Sequence, residues 1–190
     1  MSNKMDNKVK QIFISSGTQK VLSYLTNQKN WKTVKEIQAV TPLSKSGVHL
    51  FLNKLLKLKL IEKGQKGKTY LYRVNFTSPV IKQFKILENI IDCSPLIEKL
   101  RPLSQKIILF GSVSRGESFL SSDIDLFIVT HNPKEVKEII AKNKLKDKLQ
   151  LIIRFPLEYA QLGKKDPVFF QEVERGIILW EREEHYEDEI

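Results

Sequence analysis

The sequence predicts an α+β / α/β protein of two small domains: a basic, largely helical first domain closing on a β-hairpin, and a second domain with a mixed sheet flanked by helices. Three observations carry this expectation. The charge is uneven, because residues 1–75 hold 15 Lys and Arg against three acids, a net +12, while residues 76–190 hold 17 against 19, a net −2. Apolar residues recur at helical spacing through the first part and give way to a strand, glycine turn, strand pattern. In the second part, short apolar runs such as Ile107 to Phe110 and Leu126 to Val129 alternate with helical stretches. The expected divisions are residues 12–75, a helical connector at 76–105, a domain at 106–180 and an acidic tail at 181–190.

Several classes are excluded or disfavoured at once. No stretch approaches the eighteen or so apolar residues that a membrane span needs, so no membrane partner is expected. The N-terminus, MSNKMDNKVKQIF, has no apolar core followed by small residues, and Cys93 is the single cysteine. A cytoplasmic location is the expectation, with no internal disulfide, no cysteine-based zinc site, and Cys93 as a semi-buried filler.

In the first domain, Val21, Leu22 and Leu25 mark a first helix. Thr33 precedes a short second helix with Glu36 where a capping box requires an acid. Ser44 caps a third helix whose Val48, Leu52 and Leu55 line one buried face. On the opposite face stand Lys45, Ser46, His49, Leu50 and Asn53, the side a recognition helix turns to the major groove. Leu50 fits poorly there, since it offers a base edge only methyl contact. The hairpin then reads as Leu60 to Lys63, a turn over Gly64 to Lys68, and Thr69 to Val74.

This run, TVKEIQAVTPLSKSGVHLFLNKLLKLKLIEKGQKGKTYLYRV, resembles the winged helix-turn-helix regulators of the MarR and ArsR kind. The resemblance implies duplex DNA as partner, with Ser44, Lys45, Ser46, His49 and Asn53 on the recognition helix and Lys66 and Lys68 of the hairpin against phosphates. A winged helix that contacts only protein is the alternative.

Pro79, Pro95 and Pro102 are expected to divide the connector into short helical pieces, the first an amphipathic helix over residues 79–92. Its apolar face needs cover, either between the domains or from a second copy in a homodimer.

The strongest signal is KIILFGSVSRGESFLSSDIDLFIVT, residues 106–130. An apolar strand ends at Gly111-Ser112, and after a spacer Asp123-Ile124-Asp125 opens a second strand, whose period of two puts both carboxylates on one face. Two acids held together require a cation, and the hard cation suited to carboxylates is Mg²⁺ (or Mn²⁺), which in turn predicts a polyphosphate. Gly111 and Ser112 are placed to approach phosphate oxygens, Arg115 to add a bidentate phosphate contact, and Gly116 to relieve crowding.

The segment is similar to the nucleotidyltransferase motif of the polymerase β superfamily, most closely its minimal members. The resemblance implies Gly111 and Ser112 as triphosphate contacts and Asp123 and Asp125 as metal-binding, catalytic carboxylates, with a nucleoside triphosphate such as ATP as substrate. It also implies a third carboxylate on a later strand. At the matching place in Leu149 to Ile153 stands Gln150, which carries no charge and takes no proton. Asp147 and Glu158 are the nearest substitutes. Two functions therefore stay open: Mg²⁺-dependent transfer of a nucleoside monophosphate to a hydroxyl acceptor, which includes a protein acceptor, or a weak or inactive fold acting as a nucleotide-sensing transcriptional regulator or antitoxin-like binding module.

Overall fold

The computed structural model describes residues 17–119 and 121–183, so residues 12–16 of the expected first domain and 184–190 of the expected tail lie outside the described residues. The chain forms two compact units, Met1–Asp92 with Arg115–Ser122, and Cys93–Ser114 with Asp123–Ile190. These units are drawn differently from the expected domains. The first unit takes in residues 76–92 of the connector and residues 115–122, near the start of the expected second domain.

In the first unit α1 (Gly17–Thr26), β1 (Lys32–Thr33), α2 (Val34–Val40), α3 (Lys45–Lys57), β2 (Ile61–Lys66) and β3 (Thr69–Val74) follow in order. Helix α2 starts with a reciprocal cap: the Glu36 N–H donates to the Thr33 hydroxyl at 3.2 Å, and the Thr33 N–H to the Glu36 carboxylate at 2.8 Å. Such a cap contributes about 1 kcal/mol, and the Thr33 N–H and hydroxyl, both donating to the Glu36 carboxylate, hold that carboxyl below its usual pKa. Ser44 caps α3 by accepting from the Gly47 N–H at 3.2 Å. Val21, Leu25, Ile37, Val48, Leu52 and Leu55 form the core with Ile61, Tyr72 and Val74. The sheet order is β1-β3-β2, all antiparallel.

The hairpin turn is shorter than the sequence suggested. Lys66 pairs with Thr69, leaving only Gly67 and Lys68 in the turn, with Gly67 at φ +59 as a two-residue hairpin with glycine first requires. Gly64 lies inside β2 for a different reason. A Cβ there would come within 3.2 Å of the Trp31 ring, so the indole lies closely against the strand at this glycine.

Helix α4 (Pro79–Leu100) corrects the expectation of short pieces, since its 22 residues run through Pro95 without a break. Pro95 removes the bond that the Ile91 carbonyl would accept, a cost of about 3 kcal/mol. Ile91, Leu96, Ile97 and Leu100 are buried on either side of it, and that apolar face offsets the loss. Residues 79–92 of the helix belong to the first unit and 93–100 to the second. Cys93 is wholly buried rather than partly so.

The second unit continues through a 3₁₀ turn (Arg101–Leu103) to β4 (Lys106–Phe110), a single helical turn α5 (Gly111–Ser114), β5 (Ile124–Val129), α6 (Pro133–Ala141), a 3₁₀ turn (Lys146–Lys148), β6 (Leu149–Arg154), α7 (Pro156–Lys165), α8 (Pro167–Glu174) and β7 (Ile177–Glu181). The sheet order is β6-β5-β4-β7, with β5 and β6 parallel and the other pairs antiparallel. A parallel pair needs a crossover connection, and α6 lies in it. Ile108, Phe110, Phe127 and Val129 turn one face of the sheet to Leu162 of α7 and Val173 of α8. Ile107, Leu109, Leu126 and Ile128 are buried as well, which is why these two strands read as unbroken apolar runs. Among the described residues no helix is long and apolar enough to cross a membrane.

Candidate active site

The site is built where β4 ends and β5 begins. Phe110 pairs with Asp125 across the antiparallel ladder, so the chain leaving β4 passes the first residues of β5. Gly111 follows at φ +69, and a Cβ on it would sit 2.1 Å from Asp125 Oδ2 and 3.0 Å from its Cγ. The Asp125 carboxylate therefore lies directly against the glycine backbone, a place no other residue type leaves free. The buried Ser114 hydroxyl donates to the Gly111 carbonyl at 2.8 Å and closes the turn, while Ser112 is half-buried beside it. Helix α5 is only one turn long, so the helix-start dipole expected to assist phosphate binding is small.

Asp123 is exposed just before β5. Strands β5 and β6 pair in parallel with Asp125 opposite Gln150, and Gln150 Nε2 donates to Asp123 Oδ2 at 3.0 Å. Gln150 is thus the β6 residue that the register brings to the two aspartates. The candidate substitutes stand elsewhere. Asp147 is exposed on the 3₁₀ turn ahead of β6, and Glu158 reaches back to accept from the Phe155 N–H at 2.9 Å, capping α7. Among the described residues no group of three or more His, Cys, Asp or Glu side chains gathers where it could hold a metal. The acidic side chains that the described residues bring to this site are two aspartates, with an amide as neighbour.

Arg115 belongs to the first unit, where its Nε donates to Glu117 Oε2 at 3.3 Å. The structure thus gives this guanidinium a carboxylate partner within that unit. Also in the first unit, Ser44, Lys45, Ser46, His49, Leu50 and Asn53 are all exposed on α3, opposite the buried Val48, Leu52 and Leu55. The Ser44 hydroxyl serves its helix cap and lies 3.0 Å from the Ser46 hydroxyl, which makes it the least available of this set. Lys66 and Lys68 are exposed at the hairpin tip.

A cavity of about 840 Å³ in the second unit is at the other end of the sheet, where β4 starts at Lys106 and β5 ends at Val129. Lys106 and Glu181 of its lining pair at 3.1 Å, and the Tyr159 hydroxyl donates at 2.6 Å to Glu174, which lies outside the lining. Burial and the Glu174 bond push the Tyr159 phenol above its usual pKa. The two aspartates and the positive-φ glycine are instead at the Gly111 end of the sheet. Sequence reasoning missed Lys85 and Glu88, which are only 3% and 8% exposed on the α4 face where the helical pattern calls for apolar residues.

No curated protein matches the chain. Among solved structures, a crystal structure of a protein from Sulfolobus solfataricus, provisionally described as a nucleotidyltransferase, is similar at 19% identity over 57% of this chain and 94% of its own length. Its TM-score of 0.38 is too low to define a shared fold. Residues 96–185 match the family described as "Polymerase beta, Nucleotidyltransferase", and Gly111, Ser112, Asp123, Asp125 and Gln150 all fall inside the matched stretch.

Proposed function

We propose that the second unit binds a nucleoside triphosphate with Mg²⁺ or Mn²⁺ and transfers the nucleoside monophosphate to a hydroxyl acceptor. The observation that carries this reading is the convergence of Asp125 on the Gly111 backbone, with Asp123 and Gln150 alongside. Two carboxylates suit a small hard cation that keeps its other positions for water and phosphate oxygens, so the residues present fit such an ion. Asp123 and Asp125 would hold it, and when bound it would neutralise charge on the phosphates and on the leaving group. The chain's own part is positional. Gly111 lets the backbone come close, Ser112 supplies a hydroxyl donor, and Gln150 steadies Asp123 through its N–H. An ionised aspartate is the only group of this cluster able to take the acceptor's proton, because an amide cannot.

The bond from Gln150 to Asp123 favours a second reading, a nucleotide sensor without turnover. Labelled ATP, GTP, CTP and UTP, incubated with Mg²⁺ and cell extract, separate the two readings. Label carried onto an acceptor by the native chain and not by Asp123→Ala supports the transferase. Equal labelling by both would remove it, and Mg²⁺-dependent binding without transfer would leave the sensor.

For the first unit we infer a winged helix that binds duplex DNA. The element order, the three-stranded sheet with its short β1, the basic charge and the exposed polar face of α3 all support this. With Lys66→Ala/Lys68→Ala, binding to all duplex sequences should weaken alike. The slope of log affinity against log salt should become shallower by about two, roughly one for each phosphate no longer neutralised. An unchanged slope in a fluorescence-anisotropy salt series would take the hairpin off the DNA. Asn53 or Ser46 substitutions should instead alter sequence preference.

A further inference from the structure

The segment between Ser114 and Asp123 is covalently joined at both ends to the candidate active site, yet it packs within the first unit, chiefly on helix α4. Gly116 lies against the helix backbone at φ +67, where a Cβ would be 2.3 Å from the Lys82 carbonyl oxygen. Lys82 Nζ lies 2.9 Å from Glu117 Oε1. The buried Lys85 ammonium donates to the Ser118 carbonyl and stands 4.7 Å from the Phe119 ring and 5.5 Å from that of Phe76, two rings that meet edge-on at 5.3 Å. The Asn89 amide reaches the Ser118 hydroxyl at 3.4 Å, and the Phe119 N–H donates to Ser122 Oγ at 2.8 Å.

This arrangement is more than surface packing. An ammonium is buried only where groups replace its water, and for Lys85 the segment supplies a carbonyl and one of two aromatic faces. Burial lowers the pKa of its amine and the Glu88 carboxylate opposes that shift. The glycine meets main chain, which cannot move aside as a flexible side chain could.

We propose that the docking of residues 116–119 on helix α4 positions the active site, with Gly116 and Lys85 as positioning residues. The docked segment is the covalent link from the Gly111-Ser112 turn to Asp123, and nucleotide binding depends on its staying docked. The proposal rests on the nucleotide-binding reading above, and it makes the phosphate turn and the metal carboxylates depend on residues that touch neither ligand.

Mg²⁺–ATP titration calorimetry and amide hydrogen exchange on the full chain test it. Gly116→Ala should speed exchange at residues 117–119 and weaken Mg²⁺–ATP binding about tenfold. The exposed ion pair gives an independent arm that leaves the core untouched. Lys82→Glu and Glu117→Lys should each weaken binding about threefold, and the double exchange should recover most of that loss, a rescue that general destabilisation would not produce. Native binding of Mg²⁺–ATP, with equal affinity in all these variants, overturns the positioning proposal alone. No Mg²⁺–ATP binding by the native chain overturns the nucleotide-binding reading and this proposal with it.

Discussion

Gly111→Ala is expected to weaken Mg²⁺–nucleotide binding about a hundredfold, the largest loss for any single methyl group added to this chain. Two costs act together. The residue sits at φ +69, where an L side chain costs about 1–2 kcal/mol. The new Cβ would also lie 2.1 Å from Asp125 Oδ2, so either the carboxylate or the turn must move. Moving the carboxylate displaces the proposed metal ligand, and moving the turn displaces Ser112. Relief of either kind spoils the site, because both halves meet at this one point. Affinity within threefold of the native value, measured by calorimetry with Mg²⁺ present, would show that Asp125 and Gly111 do not act as a unit.

Gln150→Glu should act in the opposite direction, raising Mg²⁺ affinity at least about tenfold. Gln150 now donates to Asp123 at 3.0 Å, and the substitution exchanges that donor for a third negative charge. Without metal the change is unfavourable, since three carboxylates then crowd together at the β5–β6 edge; the apo protein should unfold at lower denaturant than the native chain. With Mg²⁺ the same charge becomes a ligand, and a charged oxygen beside a divalent ion is worth more than an amide oxygen. The signature is therefore a pair of opposite effects in one variant: lower stability in chelator, and tighter metal binding. A turnover that appears only in the variant favours the sensor reading of the native chain, while native turnover indifferent to the change favours a two-aspartate transferase. If stability falls and metal affinity does not rise, Gln150 does not occupy a ligand position.

Much of this was legible from local chemistry. Thr33 with Glu36, and Ser44 before an apolar stripe, name their helix starts because the bonds they make span three residues. Gln150 was singled out through the resemblance to the nucleotidyltransferase motif, which implies a residue between apolar neighbours on a later strand, and the β5–β6 register sets it opposite Asp125. What escaped depends on distant partners. The hairpin turn was overestimated because Gly64 answers to the Trp31 ring rather than to a turn, and no local pattern carries that. Pro95 was expected to end a helix, but buried residues on both sides carry the helix through it. Lys85 and Glu88 on a buried helical face broke the apolar rule that would have located the docking of residues 116–119.

The discontinuity of the first unit bears on the order in which the chain folds as it is made. Residues 17–92 leave the ribosome before the 115–122 piece that Phe76, Lys85 and the Lys82 carbonyl await. By the time Ser122 emerges, strand β4 and the Gly111 turn have already been synthesised, at a rate of about 5–20 residues per second. For some seconds, then, the nascent first unit presents an aromatic ring and a half-solvated ammonium to the surrounding water. A fragment cut at Asp92 would be locked in that unfinished condition. Expression of the first unit as a separate piece needs the chain to reach at least Ser122, and fragments that end earlier should be the ones that chaperones retain.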